Sequence, residues 1–221
     1  MTLREMLNRG AQEFNIELSI EQTDACLVYQ VELEKWNRKI NLTAIRDERD
    51  IVVKHFIDSF SYTKGFIHNP GTKLLDMGSG AGFPALPIKI AFSDISVTLV
   101  EPVQKKVSFL RHVIRTLKLV DVAVLDKRTN ELPSTYDEKF DVVTARAFAD
   151  MDTALKEGSR FLSSGGVMVL SRGPEETISG AVLDKHGFVI ENRFDLVLPL
   201  SDHRRSMWTL RRSSSFNADN I

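Results

Sequence analysis

Cysteine is nearly absent from this chain, since its 221 residues include only Cys26. A single cysteine excludes an intramolecular disulfide and any metal site built from several cysteines. Long apolar runs are absent too, because no stretch approaches the roughly 20 apolar residues that a membrane-spanning helix needs. The first residues also lack the apolar segment of a signal peptide. We therefore expect a cytoplasmic protein without a membrane partner or a bound metal.

The chain also has no marked charge imbalance, with 29 Lys and Arg residues against 30 Asp and Glu residues. A net charge of -1 supplies no general attraction to nucleic acid, so any such binding depends on local basic clusters. Hydrophobic residues make up 43% of the chain. That proportion is typical of an ordinary protein with one sizeable core.

Helical patterns dominate the first part of the chain. A short helix is predicted over residues 3–14, and Ser19 with Gln22 three residues later resembles a capping box that begins a longer one. Apolar side chains recur in that second helix at spacings of three and four, which predicts one buried stripe. The stripe consists of Cys26, Tyr29, Leu33, Trp36 and Ile40.

A third helix is predicted from Asp47 to about Ser61, and its lone His55 is interpreted as a packed or surface histidine. The glycine- and proline-containing stretch 65–71 then separates this helical part from the remainder. We expect three regions along the chain. These are an N-terminal helical extension over 1–65, a larger domain over 66–212 and a disordered tail over 213–221.

Short β-rich runs alternate with helical patterns from Lys73 onward, which predicts an α/β fold with a parallel sheet and helices on both faces. The first five strand candidates, with helical stretches between them, are 73–77, 96–101, 122–126, 140–146 and 166–171. Two further extended segments, 187–198 and 206–211, predict an antiparallel hairpin that closes the sheet.

Three glycines at alternate positions, Gly78, Gly80 and Gly82, follow the first predicted strand. The dinucleotide fingerprint needs its third glycine one place later, where this chain has Phe83. A bulky Phe83 followed by Pro84 suits a nucleoside cofactor without a pyrophosphate. The alternative is a tight strand-to-helix turn with no ligand.

Three polar residues at later strand ends converge on the same predicted crevice. Glu101, about 20 residues past the last glycine, is placed to accept hydrogen bonds from ribose hydroxyls, unless it is only a surface carboxylate. Asp126 and Arg146 end the third and fourth strands. Arg146 needs an anionic partner there, which is either a ligand carboxylate or a structural salt bridge.

Several chemistries lack the residues they need. No cysteine lies near the strand ends, so covalent attack on a pyrimidine ring has no thiolate. The fourth strand does not end in the Asn-Pro-Pro or Asp-Pro-Pro sequence that exocyclic amine methylation commonly uses. A methyl acceptor should therefore have an available lone pair, as guanine N7 has, and its transfer needs positioning more than a base. We assign no catalytic base.

Basic side chains cluster in two places. Arg111, Arg115 and Lys118 share the outer face of the helix after the second strand, and Arg204, Arg205, Arg211 and Arg212 lie near the end of the chain. Such clusters are often only solvated surface. If both flank one crevice, they favour a polyanionic substrate such as RNA.

Taken together, these motifs resemble the bacterial RsmG (GidB) family of 16S ribosomal RNA guanine-N7 methyltransferases. The resemblance spans about residues 20–212 and depends on the combination of several short motifs. They are the glycine turn with Phe83-Pro84, residues 41–45 (Asn-Leu-Thr-Ala-Ile), residues 54–59 (Lys-His-Phe-Ile-Asp-Ser), Lys105-Lys106, Phe109-Leu110 and Arg146-Ala147-Phe148.

The resemblance implies a Rossmann-like class I methyltransferase fold, with a mostly parallel seven-stranded sheet and an N-terminal helical extension. It also implies S-adenosylmethionine as the cofactor, 16S ribosomal RNA or the small-subunit particle as the partner, and a monomer. By position, Gly78 and Phe83 would line the cofactor, Thr129 and Asn130 would lie at its adenine end and Arg146 in the pocket. To these we add Gly80 and Glu101.

Two positions depart from the common family pattern. Glu101-Pro102 replaces Asp-Ser after the second strand, and Arg172 replaces a lysine after the fifth, where we expect it to contact RNA. Two other functions remain open on the sequence. One is a ribosome-assembly RNA-binding protein that keeps a cofactor pocket without turnover. The other is a nicotinamide-dependent reductase, which Phe83 at the third-glycine position disfavours.

Overall fold

A mixed seven-stranded β-sheet forms the centre of the computed structural model, which describes residues 1–146, 148, 150–173 and 175–213. The strands lie in the order β3-β2-β1-β4-β5-β7-β6. Strands β1 to β5 are parallel, and β7 runs antiparallel between β5 and β6. Their bounds are β1 Lys73–Met77, β2 Ser96–Val100, β3 Val122–Leu125, β4 Phe140–Arg146, β5 Leu162–Arg172, β6 Phe188–Val197 and β7 Arg204–Arg212.

The predicted strands are confirmed, with differences of a few residues at most ends. The one interval that was predicted wrongly lies between β3 and β4, where the structure has two short 3-10 turns, Thr129–Glu131 and Ser134–Tyr136, and no α-helix. Pro133 separates the two turns and has no backbone N–H, which prevents a continuous helix here. The closing hairpin of β6 and β7 is confirmed.

Eight α-helices are present in the described part of the chain. Capping boxes at Thr2 and Ser19 begin the first two helices, and the one at Ser19 was predicted from its spacing to Gln22. The helices are α1 Leu3–Gln12, α2 Ile20–Asn37, α3 Glu48–Ile51, α4 Asp58–Ser61, α5 Ala85–Ala91, α6 Gln104–Thr116, α7 Met151–Ser159 and α8 Gly180–His186.

The third predicted helix contains a wider turn that the sequence pattern did not indicate. Between α3 and α4 the chain forms a π-helical segment, Val52–Ile57, so helical structure continues from Glu48 to Ser61. Helix α1 packs closely on this segment, since a Cβ at Gly10 would lie 2.2 Å from the Cδ1 atom of Ile57. Segments of this kind often occur at functional sites, and this one faces the end of β4.

Two apolar layers cover the sheet. The N-terminal helices share one continuous core with α5 and α6, and Cys26 is fully buried there as predicted. The other layer packs α7 and α8 on the sheet through Leu155 and Leu183. The division of the chain at residue 65 stays a prediction. Of the predicted tail, only Ser213 belongs to the described residues.

No helix in the described part of the chain combines the length and the apolar character that crossing a membrane requires.

Candidate functional site

The glycine turn connects the carboxyl end of β1 to α5. Gly78, Gly80 and Gly82 have φ angles of 64°, 58° and 91°, a region that residues with a Cβ rarely adopt. A Cβ at Gly78 would lie 2.7 Å from the ring of Phe148, and one at Gly82 would lie 2.6 Å from the Tyr29 hydroxyl. A Cβ at Gly80 would meet only the Gly78 carbonyl oxygen, at 3.9 Å, which is an ordinary contact without a clash. Gly80 is therefore the glycine of this turn that a ligand can approach.

Glu101 directly follows β2 and closes the same turn. Its Oε2 accepts a hydrogen bond from the Gly80 N–H at 2.8 Å, and its Oε1 accepts one from the Val103 N–H at 2.9 Å. The residue is 3% exposed, so it is not a surface carboxylate. Each carboxylate oxygen has a second lone pair, so Glu101 retains capacity for a ligand hydroxyl. Its predicted role on the ribose stays a prediction.

A second buried carboxylate, Asp76, lies near the end of β1. Its Oδ1 accepts a hydrogen bond from the Thr144 hydroxyl at 2.9 Å, whereas its Oδ2 is buried and has no partner among the described residues. Burial raises the pKa of Asp76 to about 7. An unpaired buried carboxylate oxygen beside a glycine turn fits a ligand that donates hydrogen bonds or has a positive charge.

Helix α2 holds the glycine turn from the N-terminal side. The Tyr29 hydroxyl, 52 residues before its partner, donates a buried hydrogen bond to the carbonyl oxygen of Ala81. The Tyr29 ring stacks on the Phe83 ring with centroids 5.1 Å apart. At the start of α2, Gln22 donates to the carbonyl oxygens of Ile90 and Ala91 at the end of α5. The extension therefore fixes both the turn and the helix that follows it.

Phe83 is enclosed by protein. Its ring lies between Tyr29 and His55, with Phe56 at its edge, and only 3% of the residue is exposed. The Arg146 guanidinium lies 5.3 Å from the ring centroid. A contact between Phe83 and the cofactor, which stays a prediction, would therefore depend on the backbone of this residue more than on its ring.

Arg146 is bonded to the helical run on the opposite side of the site. Its guanidinium donates to Asp58 Oδ2 and to the Lys54 carbonyl oxygen, each at 3.2 Å, and to His55 Nδ1 at 3.1 Å. Asp58 is 1% exposed, so this ion pair is buried on the acid side. The structural salt bridge considered for Arg146 is therefore present. About a fifth of the side chain, 21%, remains exposed.

His55 serves as a neutral connector in this network. Because an arginine only donates, Nδ1 must accept from Arg146, which leaves the Nε2–H to donate to the Thr43 hydroxyl at 2.8 Å. Burial and the neighbouring Arg146 charge lower the pKa of His55 to about 3. Both ring nitrogens of His55 therefore form hydrogen bonds within the protein. This agrees with its interpretation as a packed histidine.

Asp58 binds a second arginine from a distant part of the chain. Its Oδ1 accepts from Arg205 Nε at 2.9 Å, so one buried carboxylate joins the start of β7 to the end of β4. These residues line a cavity of about 390 Å³, which we call the cation pocket. Its walls are formed by Ile45, Lys54, His55, Asp58, Arg146, Ser171, Arg172, Gly173, Glu176 and Arg205.

The structure separates the predicted RNA-binding residues into two sets. Arg172 and Arg205 line the cation pocket, and the neighbouring Arg204 is exposed. Arg111 and Arg115 are exposed on α6 beside the edge strand β3, at the other end of the strand order. Lys118 is also exposed, but it follows the end of α6 with a φ angle of 53°, so it does not lie on the helix face where it was predicted. Arg111 lies 3.6 Å from Asp126, which follows β3. The two clusters therefore do not share one pocket.

The residues predicted at the adenine end follow β3. Thr129 is 3% exposed and begins the first 3-10 turn, and Asn130 beside it is exposed. Both lie after the carboxyl end of a strand that neighbours β2, on the same edge of the sheet as Glu101. Their contact with a cofactor stays a prediction.

A known protein family matches most of the sequence. Residues 22–204 match the model of the GidB family, described as rRNA small subunit methyltransferase G. The chain belongs to this family. The resemblance inferred from the short motifs is therefore confirmed.

Several curated GidB-family relatives align over nearly the whole chain. A ribosomal RNA small subunit methyltransferase G from Acetivibrio thermocellus is 36% identical over 217 residues, which cover 96% of this chain and 89% of the relative. One from Geotalea uraniireducens is 37% identical over 215 residues, covering 96% of this chain and 97% of the relative.

Solved structures with lower identity share the fold. A SAM-dependent methyltransferase from Aquifex aeolicus superposes with a TM-score of 0.56 at 19% identity, covering 73% of this chain and 92% of the other. A precorrin-6y C5,15-methyltransferase from Geobacter metallireducens superposes with a TM-score of 0.54 at 16% identity, covering 70% of this chain and 87% of the other. The predicted Rossmann-like class I methyltransferase fold is confirmed.

Three residues with prominent positions were missed as site residues from the sequence. Tyr29 was identified only as part of the apolar stripe of the second helix. Lys54 and Asp58 were identified only as members of the family motif at residues 54–59. An acidic residue within an otherwise apolar helical stretch was the available signal for Asp58, because buried carboxylates need partners. Nothing local indicated which arginines would supply them.

Proposed function

We propose that this GidB-family protein is an enzyme that transfers a methyl group from S-adenosylmethionine to N7 of a guanine in 16S ribosomal RNA. The observation that supports this most directly is the shared sheet edge. There, an open glycine turn and the buried Glu101 carboxylate lie on one side of Arg146, and the cation pocket lies on the other. Such an edge is the usual ligand position in doubly wound folds.

The residues on the β1 and β2 side fit this cofactor. Gly80 leaves room for close approach at the turn, and Glu101 retains lone pairs for ribose hydroxyls. Asp76 Oδ2 is a buried acceptor without a hydrogen-bond partner among the described residues. When bound, S-adenosylmethionine supplies a methyl group on a positively charged sulfonium centre. Thr129 and Asn130 would hold its adenine end, and Gly78 and Phe83 would line it through the turn backbone.

The acceptor atom makes a catalytic base unnecessary. Guanine N7 has a lone pair and no proton, so the forming nitrogen–carbon bond requires no proton removal, and the positive charge moves from the donor sulfur to the purine ring. The protein's contribution is then to orient both partners and exclude water. His55 fits this view, because both of its ring nitrogens are engaged by Arg146 and Thr43.

The remaining features of the proposal concern partners and organisation. We infer that a monomer acts in the cytoplasm on 16S ribosomal RNA or on the small-subunit particle. The N-terminal helical extension, residues 1–65, supports the glycine turn through Tyr29, and the methyltransferase domain covers 66–212. Positive side chains around the cation pocket supply the local basic cluster that a net charge of -1 does not.

The experiment is a methyl-transfer assay with labelled S-adenosylmethionine and small-subunit RNA, or particles, that lack modifications. We expect label in 7-methylguanine after nuclease digestion. Label in another base contradicts the N7 assignment. If the protein binds cofactor and RNA but no label is transferred, the enzyme proposal is wrong and the ribosome-assembly alternative is supported. Tighter binding of NAD than of adenosylhomocysteine would instead support a reductase.

A further inference from the structure

The cation pocket has more positive than negative charge. Four cationic and two anionic side chains are among the described residues that line it. The cations are partly buried, with side-chain exposures of 22% for Lys54, 21% for Arg146, 10% for Arg172 and 28% for Arg205. Charges withdrawn from water in this way attract an opposite charge more strongly than charges on an open surface.

Among the described residues that line the pocket, the acidic side chains do not balance this charge. Asp58 has one negative charge and is shared by the guanidinium groups of Arg146 and Arg205. Glu176 lies 3.9 Å from Arg172, but its side chain is 60% exposed, so water screens the pair. Asp50, which pairs with Lys54, lies outside the cavity wall and is 48% exposed. The pocket therefore favours an anionic ligand.

The position of the pocket distinguishes between two anions, the carboxylate of the cofactor and the phosphates of RNA. Its walls come from the π-helical segment and from the ends of β4, β5 and β7, whereas the open glycine turn and Glu101 follow β1 and β2. A volume of about 390 Å³ is also larger than a single carboxylate group requires. An RNA strand offers one phosphate per nucleotide, and arginine and lysine are the side chains that commonly contact phosphate oxygens.

We propose that the cation pocket binds the backbone phosphates of the RNA strand next to the guanine that is methylated, through Lys54, Arg172 and Arg205. This inference depends on the proposed function, because it takes RNA as the substrate. It assigns a substrate contact to Lys54, and so gives the N-terminal helical extension a direct part in RNA binding. Asp58 acts as a positioning residue that holds Arg205 at the pocket wall.

The test compares matched variants. Lys54→Gln is paired with Lys35→Gln, because each lysine lies on a helical segment and pairs with a nearby acid at 2.7 Å. Arg205→Gln is paired with Arg211→Gln, because both arginines lie on β7 and both pair with an acid, but Arg211 is near the opposite end of the strand. For each variant, the KM for unmodified small-subunit RNA is measured at several salt concentrations. The Kd for adenosylhomocysteine is measured at a single salt concentration.

We expect each pocket variant to raise the KM for RNA roughly tenfold, the effect of removing a charge-assisted hydrogen bond. The slope of log KM against log salt should decrease by roughly 0.7 for each phosphate that the variant no longer neutralises. Affinity for adenosylhomocysteine should stay at the wild-type value, and both control variants should behave like the wild type. If Arg205→Gln fails to fold, Lys54→Gln decides the test, because its partner is exposed.

Two results overturn the proposal. Unchanged RNA kinetics in Lys54→Gln and Arg205→Gln would mean that the pocket contacts no RNA. An equal loss of adenosylhomocysteine affinity would assign the pocket to the cofactor carboxylate instead. If the wild type methylates no RNA, the proposed function itself is wrong. The same variants then test the pocket through direct RNA binding, where an unchanged Kd overturns it.

Discussion

Tyr29→Phe tests whether the N-terminal helices position the cofactor turn. The change removes only the hydroxyl that donates to the Ala81 carbonyl oxygen and keeps the ring stacked on Phe83. Tyr29 is fully buried, so water cannot replace the missing donor. Leaving a buried carbonyl oxygen without its partner costs about 1–3 kcal/mol of the free energy of unfolding.

Part of that cost should appear in cofactor binding, because Ala81 lies between Gly80 and Gly82 in the turn. If about 1 kcal/mol of the lost free energy weakens cofactor binding, the Kd for adenosylhomocysteine rises roughly fivefold. Calorimetric titration gives the Kd, and urea unfolding gives the free energy of unfolding. Tyr136→Phe is the control, since Tyr136 packs on the other face of the sheet.

The reasoning is wrong if Tyr29→Phe unfolds at the same urea concentration as the wild type and binds adenosylhomocysteine equally well. A loss of stability with unchanged binding would also be informative. It would mean that α2 stabilises the core but does not position the turn. A more drastic change, Tyr29→Ala, removes the ring as well and should cost about 3–5 kcal/mol of the free energy of unfolding.

Two further predictions concern charge. Asp76 should make the cofactor-free protein less stable as pH rises from about 4 to 7, because its folded pKa of about 7 lies above the ordinary value of 3.8 and the folded state binds the extra proton. Asp76→Asn, which does not titrate, is the reference. Between about pH 5 and pH 8 the free energy of unfolding of the wild type, measured with urea, should fall by on the order of 2–3 kcal/mol relative to this variant. A difference between the two proteins that stays constant with pH would contradict the prediction. Because Arg115 and Lys118 are exposed, replacing both with Gln should raise the KM for RNA only at low salt. A rise that persists at about 0.15 M salt would instead mean direct contact.

The strands and the glycine turn could be predicted because their signals are local. Alternation of apolar runs with helical patterns indicated the parallel sheet, and three glycines at alternate positions indicated a tight turn from strand to helix, where the structure has positive φ angles. Strand ends also indicated that Glu101 and Arg146 share one edge, since parallel strands end on the same side. Local patterns were insufficient between β3 and β4, where a helical stretch was predicted and the structure has two short 3-10 turns.

Family membership, too, was accessible from short motifs. The sequence by itself thus determined the fold class, the family and the chain positions of the turn. What it left open was the partner of each polar side chain. Arg146 was predicted to need an anion, but the choice between a ligand and a protein carboxylate could not be made without the tertiary structure.

Only the tertiary structure decided those partnerships, because they join residues that are far apart along the chain. Tyr29 meets the glycine turn across 52 residues, and Asp58 meets Arg146 across 88 and Arg205 across 147. A buried carboxylate must find cations, but its own sequence neighbourhood does not specify which ones. Packing of the N-terminal helices against the sheet brought Asp58 to both arginines, and so formed the cation pocket beside the glycine turn.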